Sequence, residues 1–368
     1  MTEVLITGYH GYGNYGDEAT LLAIKEGIEK MNADVKITAL SYDPEFTKTE
    51  YGINAVQRFN VFKVFWAVFK SKVIVSGGGT LLQDISSTRS LFYYLGIIKL
   101  AKLLGKKVLV YANGIGPVNK ESNRKLIGKI VNKVDIITLR EEPSLNDLVS
   151  MGVTKPPTYV TADPAFNLTS ESDARAEEIL LQEGIPTDKP LVGVAVRDWK
   201  KAKYGDEYIR EIAIACDSLI RNGNNVLFIP MQYKTDSEFS RKVMDNMEEE
   251  SYILKQPYKP KEIMAVIGKL KLTIGMRLHS LIFSSVKNVP MLGIIYDPKV
   301  EYYIDVLGMD TAADIRNERL LGADIVRLAD NIFKNYDDYK KLLNDRTAPL
   351  LAKAKKNDKF LKELIKKA

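Results

Sequence analysis

The chain has 368 residues, enough for two domains of ordinary size, and its 45% hydrophobic content is that of a globular protein in water. Its single cysteine, Cys216, excludes an intramolecular disulfide and suits a reducing compartment. The net charge of +6 is concentrated at the end: residues 351–368 hold seven lysines against Asp358 and Glu363, which is +5 of the total, so the body is nearly neutral and no nucleic-acid partner is expected.

The opening MTEVLITGYHGYGN has no basic flank and runs straight into an apolar strand, unlike a signal peptide. No apolar stretch reaches bilayer-spanning length, and the cytoplasm is the expected location. Val4 to Thr7 predicts a first strand, followed by the glycine-rich turn GYHGYGNYGDE and a crossover helix through Ala19, Leu22 and Ala23. Asp34 to Ser41 predicts a second strand. Phe59 to Lys70 reads as an aromatic helix with apolar residues all round it, so it is either wedged in the core or exposed to a partner. The core is expected, because Trp66 and four phenylalanines would make a costly exposed patch. Further strands are predicted at Val73 to Ser76, Val108 to Ala112, Ile136 to Leu139 and Thr158 to Thr161, with helices between them.

Residues 169–190 turn polar and charged and contain Pro186 and Pro190, as a domain connection would. The pattern then restarts, with strands expected at Val192 to Val196, Val226 to Pro230, Ile253 to Lys255, Leu272 to Gly275 and Met291 to Tyr296. Cys216 falls on the apolar face of one helix and reads as packing. The whole predicts an α/β protein of two Rossmann-like domains facing a cleft: 1–168, then 191–330, with terminal helices and a basic tail over 331–368. In the tail, Phe360, Leu361, Leu364 and Ile365 form one helical face, which predicts a docked helix with a solvated basic side; contact with anionic lipid is the alternative.

Gly11-x-Gly13-x-x-Gly16 fits a dinucleotide fingerprint, but Asp17 and Glu18 open the following helix and would repel a pyrophosphate; no cofactor is expected. Asp17 reads as a cap or first-turn acid. Gly77, Gly78 and Gly79 permit either close backbone approach to a ligand or a sharp turn. No cysteine or histidine spacing suggests a metal. Arg140, Arg197, Arg277 and Lys299 each sit at a strand's carboxyl end or a helix start. With His279 in the first turn of its helix they predict an anion pocket holding a titratable group, because a cation at a helix N-terminus costs stability unless an anion compensates it.

These residues resemble the polysaccharide pyruvyl transferase family, particularly the enzymes that pyruvylate secondary cell wall polymers anchoring S-layer proteins. The matching stretches are GYGNYGDEA at Gly11 to Ala19, SGGG at Ser76 to Gly79, NGIGP at Asn113 to Pro117, LRE at Leu139 to Glu141, ADPAF at Ala162 to Phe166 and, most specific, MRLHS at Met276 to Ser280. Asn113 stands where many relatives carry Gln. The resemblance implies a GT-B-like fold, phosphoenolpyruvate as donor, and a ketal bridging two hydroxyls of a sugar such as N-acetylmannosamine in a lipid-linked precursor. It implies donor binding by Arg140, Arg277 and Lys299 and acid/base work by His279. The acceptor would enter past Tyr12, Asn14, Asp17 and Gly78, with Asp163 a further candidate. A lipid-linked acceptor would bring the enzyme to the membrane's inner face through Phe59 to Lys70 or the basic tail. The alternatives are a nucleotide-sugar-dependent GT-B glycosyltransferase and a non-catalytic carbohydrate-binding protein.

Overall fold

Short apolar strands separated by helices can pair only in parallel, because each return crosses over through a helix that covers one face of the sheet. The computed structural model describes residues 2–31, 34–85 and 87–368 and divides the chain into two units. The first takes residues 1–168 together with 350–368; the second takes 169–349.

The first unit runs β1 (Thr2–His10), α1 (Tyr15–Glu29), β2 (Val35–Ser41), α2 (Pro44–Tyr51), β3 (Asn54–Gln57), α3 (Val61–Lys70), β4 (Val73–Gly77), α4 (Thr88–Leu103), β5 (Lys107–Asn113), α5 (Glu121–Val131), β6 (Ile136–Leu139), α6 (Glu142–Ser150) and β7 (Thr158–Val160). Its sheet is parallel, in the order β3-β2-β1-β4-β5-β6-β7. Side chains alternate across the strands. Leu5, Ile74, Val108, Val110 and Ile137 therefore face one way, into a core closed by α3, α4 and α5.

The aromatic helix α3 departs from the expectation of burial. Val64, Ala67 and Val68 pack inward, while Phe62, Phe65, Trp66 and Phe69, spaced i, i+3, i+4, i+7, form an outer stripe that remains exposed. A helix apolar on both sides has a single sheet face to cover, so one stripe is left over.

The second unit runs α7 (Asp173–Gln182), β8 (Leu191–Ala195), α8 (Glu207–Arg221), β9 (Asn225–Phe228), α9 (Tyr233–Met244), β10 (Tyr252–Ile253), α10 (Pro260–Ile267), β11 (Leu272–Gly275), α11 (Leu278–Val286), β12 (Met291–Ile295), α12 (Pro298–Leu307), β13 (Asp310–Asp314) and α13 (Gly322–Lys334). Its parallel sheet has the order β10-β9-β8-β11-β12-β13. Residues 169–190 carry α7, whose Arg175 bonds Glu262 of α10 within this unit. Cys216 is fully buried on α8.

A last helix, α14 (Tyr336–Lys366), begins in the second unit and ends in the first. Pro349, which has no N–H for the carbonyl one turn back, lies where the helix passes from one to the other. Beyond it Ala354, Leu361, Leu364 and Ile365 are buried and the lysines point outward. Asn357 accepts from Thr161 Oγ1 at 2.8 Å and donates to the Ala162 carbonyl at 3.0 Å; Asp358 accepts from Tyr111 Oη at 3.0 Å; Phe360 stacks on Tyr159. The tail is a docked helix with a solvated basic side.

Candidate functional site

In an open parallel sheet, the two strands at which the order reverses send their helices to opposite faces and leave a crevice at their carboxyl ends. The reversal in the second unit lies between β8 and β11. β8 runs on to Arg197 and β11 to Arg277, and both arginines line a cavity of about 420 Å³ with Lys200, Gln232, Asp236 and Lys242. Asp198 and Glu238 also line it, so the pocket is only weakly positive overall.

The two arginines differ in how they are held. Arg277, the N-cap residue of α11, gives Nε to Asp236 Oδ2 at 2.8 Å and Nη2 to the other carboxylate oxygen. Asp236, in the first turn of α9, is buried and also accepts from the amides of Met231 and Gln232, at 3.1 and 2.8 Å, which ties it to the connection after β9. This bidentate fork sets the plane of the guanidinium. Arg197 makes no ion pair among the described residues. It lies over the rings of Tyr296, at 5.0 Å, and Trp199, at 5.9 Å, and donates to Tyr296 Oη at 3.3 Å.

His279 sits in the first turn of α11, half-buried, with its ring edge-on to Phe283. Lys299 sits in the first turn of α12, whose N-cap Asp297 accepts from the Lys299 amide at 2.9 Å. The strands β11 and β12 are neighbours, so His279 and Lys299 stand at the same end of the same sheet. Neither lines the cavity that holds Arg197 and Arg277.

Arg140 belongs to the first unit. It is buried between two carboxylates, with Nε on Glu141 at 2.8 Å and Nη1 on Asp163 at 3.0 Å, and Nη2 reaches Thr80 Oγ1 at 3.2 Å. Asp163 also accepts from the Ala165 amide at 3.0 Å. The sequence reading places Arg140 and Asp163 at the carboxyl ends of two strands of one sheet, and the structure adds that they pair directly.

The first unit reverses its strand order between β1 and β4. At that crevice Gly78, at φ +71, presses against Thr20 of α1, where a Cβ would meet Thr20 Cγ2 at 2.1 Å. The glycine is needed for close approach of backbone to helix. Asn14 is the N-cap of α1, its Oδ1 accepting from Gly16 N at 3.1 Å, and Asp17 takes the first turn. Glu18 folds back so that Oε1 accepts from Gly11 N at 2.7 Å, which occupies the amide a phosphate cradle would use. Tyr12 stacks between Tyr9 and Tyr42, with ring centroids 4.0 and 4.5 Å away.

Two features here are absent from the sequence reading. Arg58 follows β3 and is buried, its guanidinium 4.7 to 5.5 Å from the rings of Tyr12, Phe59, Tyr93 and Tyr94 and bonded to the Gly8 carbonyl and Tyr94 Oη. Also, β1, β4 and β5 leave Thr7 Oγ1, Ser76 Oγ and both side-chain polar atoms of Asn113 buried without a hydrogen-bond partner among the described residues. Buried polar side chains normally have a partner. The titratable groups are perturbed as well. Burial, reinforced by the Arg58 charge, pushes His10 down to about 3, and burial pushes Glu18 up to about 7 despite the Gly11 amide.

The model of the polysaccharide pyruvyl transferase family matches residues 14–298, which include the turn at Asn14, the Arg140 cluster, Arg277 and His279. The chain belongs to this family. As a polysaccharide pyruvyl transferase it is 20% identical to the amylovoran biosynthesis protein AmsJ of Erwinia amylovora, over 92% of this chain and 94% of that protein. Three solved structures share its fold at about 10% identity. They are Anabaena HepE in complex with UDP-glucose (10% identical, all of both chains, TM-score 0.66), the UDP-GlcNAc 2-epimerase of Neisseria meningitidis bound to UDP-GlcNAc (11%, all of both chains, 0.64) and a glycosyltransferase of Rickettsia africae (11%, 100% of this chain and 99% of the other, 0.66). The fold of this pyruvyltransferase is that of the GT-B enzymes. Among its described residues no helix is long and apolar enough to cross a membrane, and no cluster of His, Cys, Asp or Glu could hold a metal ion.

Proposed function

We propose that the enzyme takes pyruvate from phosphoenolpyruvate and closes it as a ketal on two hydroxyls of one sugar, the 4- and 6-hydroxyls of N-acetylmannosamine in a lipid-linked cell wall precursor, with release of phosphate. The reaction adds a proton to the donor's methylene carbon, bonds one sugar oxygen to the adjacent carbon and expels phosphate on the protein's cations; the second hydroxyl then completes the ketal. One of the two hydroxyl protons balances the new methyl group and the other leaves with phosphate.

The observation that carries this reading is the pair Arg197 and Arg277 at the strand reversal of the second unit, with His279 two residues beyond Arg277 in the first turn of α11. An arginine with no ion pair beside one oriented by a buried carboxylate suits a ligand bearing both phosphate and carboxylate. A histidine in that turn supplies the proton. Within the second unit, Lys299 completes the donor contacts in this reading. The sugar would lie against the Tyr9, Tyr12 and Tyr42 stack, with Asn14, Asp17, Gly78, Asn113 and Asp163 at hand for its hydroxyls.

The test is phosphate release from phosphoenolpyruvate with a synthetic N-acetylmannosamine-containing lipid diphosphate, alongside thermal stabilisation by phosphoenolpyruvate and by UDP-sugars. Acceptor-dependent release with stabilisation by phosphoenolpyruvate is expected. Stabilisation by a UDP-sugar alone would reassign Arg197, Arg277 and His279 to a nucleotide diphosphate and make the enzyme a glycosyltransferase.

A further inference from the structure

The outer stripe of α3 gathers Phe62, Phe65, Trp66 and Phe69 into one uncovered aromatic surface. Phe62 is 88% exposed, Trp66 52%, Phe69 48% and Phe65 42%, and Phe59 and Val61 before them are exposed as well. Trp66 and Phe69 stack at 5.3 Å, and Phe65 and Phe69 at 6.3 Å. An exposed apolar patch of this kind is costly in water unless something covers it.

The surroundings of the stripe are basic. Lys63 and Lys70, seven residues apart, share one flank of α3, and Lys70 Nζ lies over the Trp66 ring. Lys106 lies over the Phe69 ring and donates to its carbonyl; the Lys106 carbonyl in turn accepts from Lys102. Lys102 leads to a cavity of about 170 Å³ between α4 and α5, with apolar lining from Leu103, Leu126 and Ile130 and cations from Lys99, Lys102, Lys129 and Lys133. Neither α3 nor α4 contains an acidic residue, and Asp135, paired with Lys102 and Lys107, is the carboxylate that meets this run of contacts.

The geometry points to an anionic phospholipid bilayer as the occupant of this surface. Aromatic side chains insert at the headgroup level, lysines keep their charge in the phosphate layer, and a small apolar pocket rimmed by four lysines takes an anionic headgroup with the start of its chain. A second copy of the protein fits less well, because each copy would set its lysines against the other's. The basic tail is not the insertion element: its apolar face is buried against Tyr111, Thr161 and Tyr159, and Tyr111 points to the opposite side of the sheet from Val108 and Val110, which α3 to α5 cover. The patch runs from the carboxyl end of the sheet, where Phe59 joins the aromatic shell of Arg58, back along α3 to the amino end, where Phe69 and Lys70 meet Lys106 and Lys102 just before β4 and β5. The inference is independent of the donor and sugar named above and uses no group assigned to catalysis.

The experiment is cosedimentation of the full chain with phosphatidylcholine vesicles containing or lacking phosphatidylglycerol, at low and high salt. A Trp199→Phe background leaves Trp66 as the single tryptophan reporter. Binding is expected with the anionic vesicles only, weakened by salt, with a blue shift of Trp66 emission. Phe62→Ser combined with Phe65→Ser should reduce binding at least tenfold with an unchanged far-UV spectrum and melting temperature. Both positions are exposed, so folding should be retained. Absence of binding to anionic vesicles would overturn the inference, as would equal binding by the double variant. Concentration-dependent dimerisation that the double variant abolishes would assign the face to a second copy instead.

Discussion

Single side chains carry the chemistry and most of what can be tested. If His279 delivers the proton, His279→Ala should lower turnover by roughly 10²- to 10⁴-fold with an unchanged far-UV spectrum and melting temperature; wild-type-like turnover would remove it from the mechanism. Asp236 acts through Arg277. Breaking a buried pair of this kind typically costs about 3–5 kcal/mol, so Asp236→Ala should destabilise the second unit, read from urea unfolding, and, if phosphoenolpyruvate is the donor, raise its KM. Asn113 Oδ1 and Nδ2 are buried with no hydrogen-bond partner among the described residues. Asn113→Leu should therefore melt no lower than wild type, and turnover should fall if the amide meets the sugar; a lower melting temperature would show the amide to be satisfied. His10 and Glu18 set a pH signature. With its pKa lowered from 6.5 to about 3, His10 takes up a proton on unfolding, so its contribution to stability is lost as pH falls through that interval. Glu18, raised from 4.5 to about 7, holds the extra proton when folded, and its contribution is lost as pH rises through its own interval. Between 4.5 and 6.5 the two oppose each other and stability should be nearly flat. Glu18→Gln keeps an acceptor for Gly11 N but removes one slope, so the urea midpoint of the variant should fall on acidification across that window.

At the level of elements, the sequence was most legible where apolar runs are buried on both faces. β6 and β11 occupy Ile136–Leu139 and Leu272–Gly275, as their residues predict. β3 (NAVQ) and β13 (DTAAD) were missed for the complementary reason: both lie at sheet edges, are short, and carry polar residues at their ends. Missing β3 also hid Arg58, which stands just past its end. The orientation of α3 was beyond periodicity, because a helix apolar on two sides does not say which side the sheet takes. Arg277 with its neighbour His279 was visible in sequence, but Asp236, 41 residues earlier, was not; only the turn after β9 brings it under the guanidinium. Gly78 tests the packing of β4 on α1. Gly78→Ala should destabilise by roughly 1–3 kcal/mol, since φ is +71 and Thr20 blocks the Cβ, and a fully stable variant would show that the contact yields.

For the molecule as a whole, the end of α14 is part of the first unit's architecture although it follows the second unit in the chain. Leu361 is fully buried there, and Leu361→Ala should cost about 2–5 kcal/mol, expressed in the unfolding of the first unit and not the second. The same arrangement has a bearing on synthesis. Domains ordinarily fold one after another as they leave the ribosome. Here the first sheet emerges early but must wait, with the hydrophobic face around Tyr111 and Tyr159 unsealed, until the whole of the second unit has been translated and residues 350–368 arrive. Nascent chains stalled before Leu350 should therefore remain protease-sensitive in their N-terminal half, and premature termination late in the message should yield a product that quality control removes, although every strand of both sheets has been made.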